Sequence, residues 1–283
     1  MIAQMLDVYD QTQEAGFART QLVPFAGAII TFYDQHYPRN AAGKITLVPA
    51  QSLETYQLVA VNPTPDLAGL MDVLPRLLAL PVDLTTETQR RAWQKLLGEL
   101  PPLPLGKTAK GKLSPLGQGD PDGRLTILPA EQYGKPGNSE NPELYVAFPY
   151  RLYGVGKPDL QLAVDTFAAR RSPESTCWGQ DGPQVAMLGL TDVAQKAAMA
   201  EFTNYGDQRF RWFWKPAHDW IPDLDNGGDG MITLQNMLLQ CDGHRIQPSP
   251  PGPANGPPTS NSTPLIKPSS KATCRMEKSA ISR

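Results

Sequence analysis

Gly43-Lys44-Ile45-Thr46-Leu47-Val48-Pro49-Ala50-Gln51-Ser52-Leu53-Glu54 is the stretch from which the rest of the chain is read. Lys44 to Val48 is apolar and β-branched, the composition of a short strand, and Pro49 ends it. Ser52 is placed to cap a helix that takes over at Leu53, which puts Glu54 in a first helical turn. A carboxylate there has two readings: it complements the helix dipole, or the junction delivers it as a working acid.

On the N-terminal side, apolar residues at Ile2, Met5, Leu6 and Tyr9, then at Phe17 and from Leu22 to Tyr37, give two successive amphipathic helices ending at Pro38. On the C-terminal side, Thr64-Pro65-Asp66 starts a helix that runs to about Leu80, with proline at the first position and an early acid. Thr86-x-x-Gln89 is a capping box for the next, and Pro101, Pro102 and Pro104 stop it. Residues 105–139 change character, with Gly, Lys, Pro and Asp dominant and only Arg124 to Leu128 strand-like, so they form an insertion or flap. Helices are expected again from Glu143 to Tyr153, Pro158 to Arg170, Pro183 to Gly189, Thr191 to Phe202 and Asp229 to Gln240. Helix after helix with short connections implies an all-α domain, layered or toroidal.

Composition narrows the classes of function. A net charge of −2, with no basic cluster, argues against nucleic acid or an anionic membrane as the main partner. No apolar run reaches membrane-spanning length. The first ten residues lack the basic flank and apolar core of a signal peptide, so the chain as written is expected in the cytoplasm. Cys177, Cys241 and Cys274 are odd in number and lack metal-ligand spacing. There is no phosphate-cradling glycine loop, nucleophile elbow or His-Glu-x-x-His motif, which leaves carboxylate chemistry as the enzyme reading.

Three further clusters carry suitable groups. Glu140-Asn141-Pro142-Glu143-Leu144-Tyr145 sets two acids and an amide before an aromatic segment; as a plain helix start, Asn141 is its cap and Pro142 its first residue. Trp178-Gly179-Gln180-Asp181 combines a ring, an amide and an acid, a mix that suits a sugar's apolar face and hydroxyls and suits a helix N-terminus equally. Trp212, Trp214, His218, Asp219, Trp220, Asp223 and Asp225 form the densest aromatic and acidic region.

Pro49-Ala50-Gln51-Ser52-Leu53-Glu54 resembles the Pro-Ser-x-Ser-Pro-Glu segment that carries the general acid of family-95 glycoside hydrolases, the inverting α-L-fucosidases and α-L-galactosidases. Leu53 departs from the family's proline. Residues 140–149 resemble a segment lining the family's sugar site. Trp178-Gly179-Gln180-Asp181, with Ala186-x-Leu188-Gly189, resembles the Gly-Trp-Ser start of a late helix. The resemblance spans about residues 1–247 and corresponds to the later part of a longer enzyme. It implies an all-α fold, a partial (α/α)6 toroid with a short β-containing insertion at about 105–139, and a fragment lacking the N-terminal part of its parent. It further implies exo-acting, inverting hydrolysis of a fucoside- or galactoside-containing glycan, without cofactor or metal. Glu54 would be the general acid and Asp181 a base or orienting group, with Gln51, Glu143, Trp178, Gln180 and His218 as sugar contacts. The parent's compartment stays open, secreted or periplasmic included. The competing reading is a non-enzymatic helical scaffold or carbohydrate-binding protein whose acids are solvated caps.

From Pro248 to Arg283 there is no aromatic residue and the only acid is Glu277, while Pro, Ser, Thr, Asn and Gly crowd the first half. That composition predicts a disordered tail. A one-base frameshift near Gln247 would account for it, because Pro251-Gly252 and Thr259 to Ser262 can be encoded by codons whose shifted frame reads Trp and Phe-Lys-Leu.

Overall fold

The computed structural model describes residues 1–115, 117–173, 179–203, 225–243 and 245–248. Helix α1 (Ile2–Thr12) is followed by α2 (Ala15–Phe17), which runs through a π-helical turn, Ala18–Leu22, into α3 (Val23–His36). Strands β1 (Ala50–Ser52) and β2 (Tyr56–Pro63) precede α4 (Thr64–Leu78) and α5 (Glu87–Glu99). Four short strands come next, β3 (Leu105–Ala109), β4 (Lys112–Pro115), β5 (Leu125–Ile127) and β6 (Ala130–Gln132). A 3-10 turn, Pro142–Val146, leads to α6 (Leu160–Ala169), α7 (Asp181–Met187), α8 (Thr191–Thr203) and α9 (Asp225–Leu238). A hairpin of β7 (Leu239–Asp242) and β8 (Arg245–Pro248) ends the described chain.

The all-α toroid is overturned by three antiparallel sheets, ordered β1-β2-β6, β4-β3-β5 and β7-β8, which make the fold mixed α and β. The decisive local event is at Leu53. Its backbone is left-handed, with φ of 52°, a conformation that costs a branched side chain and cannot start a right-handed helix. The expected helix is therefore a three-residue turn joining β1 to β2, with Ser52 opposite Tyr56 and Ala50 opposite Ala60. The Ser52 hydroxyl, buried, donates to the Pro129 carbonyl at 2.7 Å instead of capping a helix. The strand expected over Lys44 to Val48 reduces to one bridge between Ile45 and Arg39, although Ile45 and Leu47 are fully buried.

The insertion holds more sheet than its composition suggests. Lys110 and Gly111 both take positive φ, 50° and 75°, which is the backbone of a tight two-residue hairpin between β3 and β4. Gly106 lies at the centre of that sheet, where a Cβ would meet the Ser114 carbonyl at 2.1 Å, so only glycine fits. The helix expected from Glu143 to Tyr153 shrinks to the 3-10 turn, because Pro149 brings no N–H and disfavours helical backbone at Phe148.

Helices form over most of the other expected stretches, but Leu239 and Gln240, expected at the end of the last helix, belong to β7. Thr86 Oγ1 accepts from the Gln89 N–H at 3.2 Å while Gln89 Oε1 accepts from the Thr86 N–H at 2.8 Å, a complete capping box on α5. Leu67, Leu70, Leu74 and Leu77 line one face of α4 at helical spacing and pack with Leu6, Ile30, Trp93 and Leu96 in one core. Leu144, Phe167, Val185, Leu188 and Ala194 form another. Arg76 on α4 donates to Asp7 at 2.7 Å and Asp10 at 2.9 Å, and Arg151 reaches Asp7 at 3.2 Å and the Cys241 carbonyl at 2.8 Å, so charged side chains tie α1, α4 and the β7–β8 hairpin. Pro248, expected to open the disordered tail, closes β8 instead, and the remainder of the tail lies outside the described residues.

Candidate functional site

The β1–β2 turn carries Glu54 into a cluster of polar side chains built on residues 138–145. Glu54 itself is exposed, and Asn138 Nδ2 donates to its Oε2 at 3.2 Å. The turn is fixed from both sides, since the Gly137 N–H donates to the Thr55 carbonyl at 2.7 Å and Thr55 Oγ1 donates to Glu140 Oε2 at 3.1 Å. The backbone N–H groups of Glu54 and Thr55 also face the Glu140 carboxyl. Burial pushes its pKa up, the Thr55 bond and those N–H groups pull it down, and the charge of Glu54 pushes it further up.

Behind this rim Glu143 is enclosed on the 3-10 turn with 2% of its surface exposed, and its Oε1 has no hydrogen-bond partner among the described residues. Loss of water is the largest influence and raises its pKa to about 7; its own backbone N–H and the nearby guanidinium of Arg171 oppose the rise, and Asp181 adds to it. The rings of Tyr56 and Tyr133 meet edge to face at 5.1 Å beside it. Burial raises both phenols, Tyr133 to about 12, and the charge of Glu143 adds to each; the Arg171 guanidinium works in the opposite direction on Tyr56.

Asp181, the first residue of α7, is nearly buried. Arg170 donates to its Oδ2 through Nε at 2.9 Å and Nη2 at 2.7 Å, and Asn141 Nδ2 approaches Oδ1 at 3.4 Å. Burial still raises the Asp181 pKa, against the pull of Arg170 and then Asn141. The Arg170 guanidinium lies 3.6 Å from the centre of the Phe167 ring, a cation–π contact that holds the fork in place. Asn141 does not cap the 3-10 turn with its side chain, as the sequence reading expected. It clips the chain instead, donating to the Ser172 carbonyl at 2.7 Å and accepting from the Ser172 N–H at 3.1 Å. Gln180 hydrogen-bonds the Tyr145 hydroxyl, and its Oε1, like that of Gln184 one turn on, is a buried acceptor without a donor among the described residues.

The structure thus brings Glu54, Glu143, Gln180 and Asp181 around one segment. Gln51 stands exposed on β1. Trp178 and His218 lie outside the described residues. Tyr133, Asn138, Arg170 and Arg171 belong to the cluster and were not picked from the sequence. The paired arginines at the end of a helix were the available signal, since a buried acid requires a cation and a helix C-terminus favours one. In chemical terms the site holds four carboxyls: Glu54 exposed, Glu140 partly desolvated, Glu143 enclosed with its pKa raised to about 7, and Asp181 locked by an arginine. Neither a family model nor a curated protein matches the chain.

Proposed function

We propose that the chain belongs to an exo-acting, inverting glycosidase of α-L-fucosidase or α-L-galactosidase type, with Glu54 as the general acid. The observation that carries this reading is the Glu54 turn: a solvent-reachable carboxyl held by Asn138 and set beside a second, partly desolvated carboxyl, Glu140. Inverting hydrolysis needs an acid that protonates the leaving oxygen and, roughly 6.5–9.5 Å away, a base that activates water on the opposite face of the ring. Asp181 acts as an orienting group through Asn141, since Arg170 already engages its other oxygen.

Hydrolysis of a panel of aryl glycosides, α-L-fucoside and α-L-galactoside included, tests the reading when wild type is compared with Glu54→Gln at equal folded fraction. Activity that survives the substitution unchanged counts against it. A non-enzymatic carbohydrate-binding protein is the second reading, favoured by the full engagement of Asp181 and the enclosure of Glu143, both of which serve structure as well as chemistry. It requires glycan binding without turnover in the same panel.

A further inference from the structure

On the other side of the β1–β2 turn lies a cavity of about 360 Å³, bordered by Leu53 but not by Glu54. Its walls are apolar and aromatic, with rings from Phe25 and Tyr33 on α3 and from Tyr145 and Tyr150 beside the 3-10 turn. The Tyr150 ring lies against α4 at Gly69, where a Cβ would stand 3.0 Å from it, so the absence of a side chain at Gly69 lets the ring form the wall. Among the described residues one charged side chain lines this space, that of Asp66, and Met1 borders it as well.

Asp66 is largely desolvated. Tyr33 donates its hydroxyl to Oδ1. The influences acting on the carboxylate are burial, which raises its pKa, then the Tyr33 bond and its own backbone N–H, which lower it; no cation is among them. A hydroxyl, an amide N–H and the N-terminus of α4 supply hydrogen bonds and a partial positive charge but no full counter-charge, and a carboxylate has acceptor capacity beyond these two. Burial raises the pKa of Tyr33 and Tyr150 in its wall and the charge of Asp66 raises each further, so the cavity is negative on its polar side and π-faced elsewhere. Anions are disfavoured there. A neutral apolar molecule would leave the carboxylate without water or counter-charge.

We propose that this cavity is a binding site for a small organic cation, an ammonium group paired with Asp66 and an apolar or aromatic body held between the rings of Phe25, Tyr33, Tyr145 and Tyr150. The volume falls in the range of small-molecule sites, and ammonium over tyrosine and phenylalanine faces gains both charge and quadrupole attraction. The assignment is independent of the glycosidase reading.

The test uses the full chain and benzylamine, which is protonated at neutral pH, against benzyl alcohol of the same shape and methyl α-L-fucoside, with binding read by calorimetry and by ring-proton shifts of the lining tyrosines. Benzylamine should bind at least about ten-fold more tightly than benzyl alcohol, and Asp66→Asn should bring the two within about two-fold of each other. The wild-type comparison reads the charge preference even if Asp66→Asn does not fold, and Phe25→Ala, on a ring already 37% exposed, should weaken benzylamine several-fold. Equal binding of amine and alcohol, preferential occupancy by the fucoside, binding by none of the probes at millimolar concentration, or an unchanged amine affinity in Asp66→Asn would each overturn the proposal.

Discussion

Arg170 donates twice to a single oxygen of Asp181, Oδ2, and only 12% of the one side chain and 6% of the other is exposed. An enclosed pair of this kind is costly to break from one side, because the remaining charge stays buried without its partner. Arg170→Met should therefore destabilise the fold by about 3–5 kcal/mol, and adding Asp181→Leu should restore a large part of the loss. Chemical denaturation of the two single variants and the double variant measures it; additive losses would mean the pair is not coupled.

Glu143 predicts a pH dependence. Its folded-state pKa of about 7 lies above the ordinary 4.5. Below 4.5 both folded and unfolded chains hold the proton, so its contribution is fully present; as pH rises toward 7 the unfolded chain releases the proton first and stability is lost. The slope attributable to this group approaches about 1.4 kcal/mol per pH unit within that window and vanishes above it. Denaturation of wild type and Glu143→Gln across pH 4.5 to 8 should show the wild type falling relative to the variant, and parallel profiles would remove Glu143 from the account.

Gly182 on α7 faces α9 so closely that a Cβ would stand 2.3 Å from Thr233 Oγ1, and Thr233 is fully buried with its hydroxyl donating to the Asp229 carbonyl at 2.6 Å. Gly182→Ala should cost about 1–3 kcal/mol through forced separation of the two helices. Thr233→Ala added to it should recover part of that cost. Thermal melts of the three variants decide the matter, and a neutral Gly182→Ala would place the helices further apart than described.

For Glu54 the leaving group separates roles. If this carboxyl delivers the proton, Glu54→Gln should lower kcat/KM by roughly 10²–10⁴-fold on glycosides with poor leaving groups and far less on activated aryl glycosides, which depart without protonation. Equal losses on both would assign Glu54 to positioning or folding.

Signals confined to a few neighbouring residues were legible in the sequence. The Thr86–Gln89 box and the Pro65-Asp66 start need no distant partner, and α5 and α4 form where they were expected. Ser52 shows the limit: a serine two residues before a glutamate has the pattern of a helix cap, and its true acceptor is the Pro129 carbonyl, 77 positions away. The same holds at the site. Glu143 and Asp181 could be picked as acids, but beyond their burial the groups that set their behaviour come from elsewhere in the chain, Arg170 and Arg171 from the end of α6. The toroid expectation failed for a related reason, because short strands such as β3 and β4 are defined by pairing across a Lys110-Gly111 turn and leave little trace in composition.

The pairing of β2 with β6 also orders events in time. Val61 meets Gln132 and Pro63 meets Ala130, and Asn62 Nδ2 donates to Glu131 Oε2 across 69 positions of chain, an interval that contains α4, α5 and the β3–β5 sheet. Closing so long an interval carries an entropic cost that must be met before the contact yields anything, which makes such pairings slow. The helices of the first core can associate without it. The contacts that fix the Glu54 turn, from Gly137, Asn138 and Glu140, lie beyond β6, so a break in the polypeptide between α5 and β6 is expected to release that turn from its partners while the first core, built from residues 2–100, keeps its helices.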